Sequence, residues 1–331
     1  MKKIIFLLCF MILFSACGGE TEEKMSARQI YAMDTVCSVT IYGEEKTADS
    51  IAELLVELDG AFSAYDGEVE ELNRNGGGEM SESVSELLSD SGTLLFETGT
   101  FSPFLGSVTE LWGIGSKNYV PTDEEVSKAL ESAWIYNAEA TGNVLTLKNG
   151  AKLNFGGVAK GYASDKIREI LIRDNVKSAM ISLGGNVYVH GKKPDGALWR
   201  VGVRDPKRTE NDWVCTLSLK DKFIISSGDY ERYFERDGKR YHHIIDPNTG
   251  YPAESDLLSV TVVSESGVRA DGYSTALYVM GSEEALRFWR EKKDFELVLI
   301  CRDGRVIITE GLSEAVTENR EAGYTYETAH R

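Results

Sequence analysis

The sequence predicts an α+β fold built as one compact unit. Strand-like and helix-like patterns are interleaved along the whole chain, without the regular βαβ rhythm of a doubly wound sheet. Hydrophobic residues make up 42% of the 331 positions and charged ones 27%, the balance of a soluble chain with a sizeable core. No low-complexity linker interrupts residues 30–310.

The first residues stand apart. Lys2 and Lys3 precede the apolar run "IIFLLCFMILF", which is too short to span a bilayer but suits the core of a signal peptide. The run meets Ser15-Ala16-Cys17 and then the polar "GGETEEKMS", which resembles a bacterial lipobox with Phe14 where leucine is usual. The expected organisation is a signal peptide over 1–16 and a tether over 17–28 lipidated at Cys17. A main domain over 29–312 and a polar tail over 313–331 follow. The protein is expected to be a membrane-anchored bacterial lipoprotein facing the periplasm or the exterior.

In the domain, "YAMDTVCSVTIYG" alternates like a half-buried strand and "SIAELLVELDGAFSAY" has the spacing of an amphipathic helix. "SVSELLSDSGTLLFETG" reads as a helix stopping at Gly99, and "DEEVSKALESA" as another capped by Thr122 or Asp123. "VLTLKNGAKLNF" predicts a hairpin turning at Asn149-Gly150, and "SAMISLGGNVYVHG" a strand. Further strands, the helix "SEEALRFWREK" and the hairpin "FELVLICRDGRVIIT" complete the pattern.

The formal charge of -17 disfavours nucleic acid and anionic lipid headgroups as partners. A phosphate-bearing ligand therefore needs a cation or backbone amides. Of five cysteines, Cys37, Cys215 and Cys301 remain after the leader and are widely separated, which is neither a disulfide framework nor a zinc pattern.

"NFGGVAKGYASD", "SLGGN" and "SSGDYERYF" bear glycines that let backbone amides approach a phosphate, but "GGVAKG" matches neither the P-loop nor G-x-G-x-x-G. In "RADGYSTALYVMG", Asp271, Ser274 and Thr275 share one helix face and form a partial oxygen shell suited to Mg²⁺; a simple capped helix is the alternative. "RYHHIIDPNTGYP" has ordinary turn chemistry in Asp246-Pro247 and Gly250, yet it carries two histidines.

Taken in order, "GTFSPFLGSVTELWG", "NFGGVAKGYASD", "SLGGN", "SSGDYERYF", "HIIDPNTGYP" and "ADGYSTAL" resemble the ApbE family, the FAD:protein FMN transferases, over about Met33 to Gly281. The resemblance implies a T-fold-like α+β architecture and a Mg²⁺-dependent enzyme. FAD would be split, AMP released, and FMN passed to a serine or threonine hydroxyl of an acceptor flavoprotein. It further implies a metal held by Asp271, Ser274, Thr275 and the Gly157 carbonyl. FAD contacts are implied at Met33, Tyr65, Thr100, Phe101, Ser102, Asn154, Lys160 and Ile245, with Asn154 standing where many members have aspartate. His243 matches the H-x-x-D-P histidine and is the expected general base, while Asp246 and Pro247 hold the loop and His242 is a solvated neighbour. Hydrolysis of FAD to FMN and AMP, or flavin binding without chemistry, are the competing functions.

Overall fold

The computed structural model describes residues 24–208 and 212–331; Cys17 and the leader lie outside these residues. No described helix is long and apolar enough to cross a membrane. The expected α+β class is present. β1 (Met25–Ala32) and β2 (Thr35–Tyr42) form a hairpin whose tip is Met33-Asp34, both at positive φ (55° and 58°). Thus the alternation read as one strand covers a turn, and Met25–Arg28, expected in the tether, already belong to the sheet. The unusual φ of Met33 is held from elsewhere, since its N–H donates to Asp59 Oδ1 at 2.8 Å.

α1 (Glu45–Phe62) buries Ile51, Leu55, Leu58 and Phe62 along one stripe. α2 (Glu68–Asn75), β3 (Gly77–Glu79) and α3 (Glu82–Thr98) follow, the last capped by Ser81 and stopped by Gly99 at φ 65°. α4 (Gly106–Trp112) precedes α5 (Asp123–Ser132), which starts on a Thr122/Glu125 capping box. β4 (Ala138–Thr141) and β5 (Val144–Leu147) pair with each other, and β5 also with β3. The hairpin expected at Asn149-Gly150 is therefore absent. Asn73 takes the backbone partners such a strand would need, accepting from Leu153 N at 2.7 Å and donating to Leu153 O at 2.9 Å.

α6 (Ala159–Arg173) leads to β6 (Ser178–Leu183) and β7 (Asn186–Gly191), two strands where one was expected, joined at Gly184-Gly185. β8 (Trp199–Arg204), β9 (Trp213–Leu219), β10 (Lys222–Gly228), β11 (Tyr233–Arg236), β12 (Lys239–His242) and β13 (Leu257–Ser264) come before α7 (Gly267–Lys292), which kinks at Gly281. β14 (Phe295–Cys301), β15 (Arg305–Thr309), β16 (Val316–Glu318) and β17 (Thr325–Ala329) close the chain. The expected polar tail is thus part of the fold: β16 extends β9, and β17 pairs with β15. Its mostly exposed residues hid this, because edge strands need little apolar alternation.

A nine-stranded sheet runs β1-β2-β6-β7-β10-β13-β14-β15-β17, antiparallel except for its last pair. Helices cover one face and the β16-β9-β8 sheet contributes to a second apolar layer. β14 shows the consequence: Leu297 and Leu299 join the first core, Val298 and Ile300 the second, so its apolar run is continuous.

α6 and α7 meet backbone to backbone. A Cβ on Gly161 would lie 2.3 Å from the Gly267 carbonyl oxygen, and one on Gly267 2.3 Å from that of Gly161. Gly161→Ala is expected to lower stability by about 1–3 kcal/mol, as overpacking does. A denaturant midpoint equal to wild type would show that the crossing relaxes freely.

Candidate active site

The helix crossing sets the first distance in the site. With no side chain between the helices, Gly161 N donates to Asp271 Oδ2 at 2.8 Å, and Asp271 is 4% exposed. Its Oδ1 accepts no hydrogen bond among the described residues. A nearly buried carboxylate held by one oxygen leaves the other for a ligand.

Asp271, Ser274 and Thr275 occupy one face of α7, as their spacing predicts. Gly157 comes up against this face, because a Cβ there would lie 3.3 Å from Thr275 Oγ1 and 3.2 Å from Phe101 Cε2. Ser274, expected among the metal ligands, is differently engaged. It is fully buried, donates to the Asp271 carbonyl at 2.8 Å, and lies 2.7 Å from Ser227 Oγ. Its side chain turns back one helical turn, which occupies its only proton. Ser227, at the end of β10, also lies 3.4 Å from Thr275 Oγ1. No role for Ser227 is evident from "SSGDYERYF" alone, although strand alternation sends Ser226 and Ser227 to opposite faces, the former to Thr261 at 2.8 Å.

The Thr100–Ser102 turn is tied to the same helix by Thr100 Oγ1, which donates to the Ala276 carbonyl at 3.1 Å. Phe101 is buried, and Ser102 Oγ accepts from Phe104 N at 3.2 Å. Asn154 braces the glycine loop, accepting from Gly156 N at 2.8 Å and donating to Thr109 Oγ1 at 3.1 Å. Asparagine supplies both the acceptor and the donor that this arrangement uses.

Lys160, in the first turn of α6, has no carboxylate within 4.0 Å among the described residues. Its positive charge weakly lowers the pKa of both the Cys37 thiol and His243. The Met33-Asp34 tip meets the Gly184-Gly185 tip, since a Cβ on Gly184 would lie 2.4 Å from Thr35 Oγ1. Tyr65 stands 74% exposed on the loop after α1, with no hydrogen bond from its hydroxyl among the described residues.

The two histidines have opposite roles. His242 is buried, not solvated as expected: Nε2 donates to the Ala253 carbonyl at 3.0 Å, Nδ1 accepts from Ile244 N at 3.3 Å, and the ring packs edge-on to Tyr278. His243 Nδ1 lies 3.2 Å from the Arg232 carbonyl, which only accepts. Nδ1 therefore carries the proton and Nε2 the lone pair. Desolvation of the half-buried ring, then the Arg232 guanidinium, push the His243 pKa down to about 3. The ring is neutral at physiological pH rather than titrating near it.

Asp246 organises the following loop. Its N–H donates to Tyr251 O at 2.9 Å, its carboxylate accepts from Asn248 N at 2.9 Å, and its carbonyl accepts from Gly250 N at 2.8 Å. Ile245 is buried and bridges Pro252, while Asn248 Nδ2 reaches the Gly99 carbonyl at 3.4 Å, beside the Thr100 turn. A groove of about 770 Å³ behind this loop is lined by Asp229, Arg240, His242 and Arg302, but not by Asp271, Thr275 or Lys160. Its charges are largely paired with one another, as in Asp229–Arg302 at 2.6 Å, so the reactive groups lie elsewhere.

Among the described residues no cluster of three His, Cys, Asp or Glu side chains is poised for a metal. The arrangement here is of another kind: one carboxylate with a free oxygen, a hydroxyl and a close glycine backbone. Such a hard oxygen set fits a Mg²⁺ that shares its shell with water and phosphate, and does not fit zinc.

The family model of the ApbE family matches residues 33–299. The FAD:protein FMN transferase of Treponema pallidum is 31% identical over 345 residues, 95% of each chain. That of Haemophilus influenzae is 30% identical over 97% of this chain and all of its own. The crystal structure of the ApbE protein of Thermotoga maritima superposes with a TM-score of 0.81 at 31% identity, covering 88% of this chain and 99% of that one.

Proposed function

The chain belongs to the ApbE family, and from that membership we propose that it is an FAD:protein FMN transferase using Mg²⁺ and a serine or threonine hydroxyl as acceptor. One observation supports this most: Gly161 N holds Asp271 by one oxygen while Gly157 approaches Thr275 on the same helix face, and the neighbouring Lys160 bears electrostatically on His243. Asp271 Oδ1, Thr275 Oγ1 and the Gly157 carbonyl would hold the cation, whose chemistry is neutralisation of pyrophosphate charge. Lys160 and the glycine amides offset the remaining charge and orient the pyrophosphate. Met33, Tyr65 and the Thr100–Ser102 turn would flank the rest of FAD.

His243 Nε2 accepts the proton of the acceptor hydroxyl. A bond forms from that oxygen to the FMN-side phosphorus, the pyrophosphate P–O bond breaks, and AMP leaves with its electron pair. A base with so low a pKa is weak in the free protein. Bound pyrophosphate places negative charge near the ring and raises its pKa again.

Incubation with FAD, Mg²⁺ and an acceptor flavoprotein tests the reading: AMP and an acceptor carrying covalent flavin fluorescence are expected. AMP with free FMN alone would make water the nucleophile, and intact FAD would leave only flavin binding.

We place the protein on a membrane through Cys17, on the strength of the leader pattern. Cys17→Ser is expected to move it from the membrane to the soluble fraction with its FAD chemistry retained. Unchanged membrane association would count against lipidation.

A further inference from the structure

Resting on the reading that Asp271 and Thr275 hold a divalent cation, we infer that Ser227 is a positioning residue for that cation, acting through a chain of three hydroxyls. The chain can be followed proton by proton. The Asp271 carbonyl only accepts, so the Ser274 proton points to it across 2.8 Å. Ser274 must then accept from Ser227, 2.7 Å away. With its own proton so committed, Ser227 accepts from Thr275 across 3.4 Å. The order is Thr275 to Ser227 to Ser274 to the Asp271 carbonyl.

This order matters for a metal ligand. A hydroxyl oxygen binds a cation through a lone pair and must send its proton elsewhere. Ser227 is the acceptor that takes the Thr275 proton, leaving the Thr275 lone pairs for the side where Gly157 approaches. Ser274 is fully buried with its proton used, so its part is to turn Ser227 the right way. Ser227 comes from β10 and the others from α7, so the chain also ties the register of strand and helix to the orientation of the ligand. Partners that orient ligands are commonly worth about 10- to 100-fold in metal affinity.

The experiment is Mn²⁺ titration of the full chain without FAD, followed by the paramagnetic resonance of free Mn²⁺. Ser227→Ala is expected to weaken Mn²⁺ binding by about 10- to 100-fold. Ser227→Thr, which restores the hydroxyl, should recover it. FAD affinity measured without metal should stay at the wild-type value in Ser227→Ala, and the metal-free stability should fall by no more than about 1–2 kcal/mol, the loss expected for its two hydroxyl hydrogen bonds. Asp271→Asn serves as the reference and should lose the bound Mn²⁺. Unchanged Mn²⁺ affinity in Ser227→Ala, with Asp271→Asn defective, would overturn the positioning role alone. A fall in metal-free stability without loss of Mn²⁺ affinity would make Ser227 merely structural and overturn it as well. No Mn²⁺ bound by the wild type would overturn the cation reading and the positioning role together.

Discussion

Asp271→Ala is expected to abolish AMP release from FAD while FAD binding remains measurable. The chain carries a formal charge of -17, so a pyrophosphate meets net repulsion unless a cation intervenes. Asp271 is the one carboxylate in the proposed set; Thr275 and the Gly157 carbonyl are neutral oxygens. Loss of cation stabilisation worth several kcal/mol corresponds to a rate lower by about 10³-fold or more. The alanine also removes the acceptor of Gly161 N, which costs about 1–3 kcal/mol of stability if that buried N–H is left unpaired. Asp271→Asn separates the two effects, because its amide oxygen can still accept from Gly161 while the charge is gone. AMP release and melting temperature measured on both variants decide it: both are expected to be inactive, with only the alanine variant clearly destabilised. Wild-type activity in either would remove the carboxylate from the mechanism.

His243→Ala is expected to lower the transfer rate by about 10²- to 10⁴-fold, the usual contribution of a general base, with FAD affinity nearly unchanged. The pH dependence follows from the direction of its shift. The base must be neutral, and burial with Arg232 keeps it so to about pH 3. Hence kcat/KM, which reports the free enzyme, should show no acidic limb from this ring between pH 7.5 and roughly 5. Stability behaves differently. The unfolded ring protonates near its ordinary pKa and the folded ring does not, so the unfolded state binds more protons and stability falls as pH drops below about 6.5. In His243→Ala that part of the acid destabilisation should disappear. A rate within a few-fold of wild type would make His243 structural.

Much of the site was legible because its chemistry is local in sequence. The spacing of Asp271, Ser274 and Thr275 gave one helix face, and the Asp246 loop followed from its turn residues. The Thr122 and Gly99 boundaries likewise follow from capping. What escaped depends on distant partners. No glycine or asparagine announces the Met33-Asp34 turn, which Asp59 stabilises from 26 residues away. His242 and His243 are neighbours in sequence, yet packing against Tyr278 buries one while the Arg232 carbonyl sets the tautomer of the other. Ser274 fits an oxygen shell on a helical wheel. Its engagement becomes visible only when β10 brings Ser227 to within 2.7 Å. The strands of 313–331 are recognised by their pairing with β9 and β15 rather than by any apolar pattern.

The most direct test of the central claim, that these separated stretches build one cation and pyrophosphate site, is anomalous diffraction from crystals soaked with Mn²⁺ and FAD. The expected result is a Mn²⁺ peak bonded to Asp271 Oδ1 and Thr275 Oγ1 beside Gly157, with pyrophosphate or AMP density between it and Lys160. A Mn²⁺ peak elsewhere, with density for the nucleotide away from Asp271, would contradict the account.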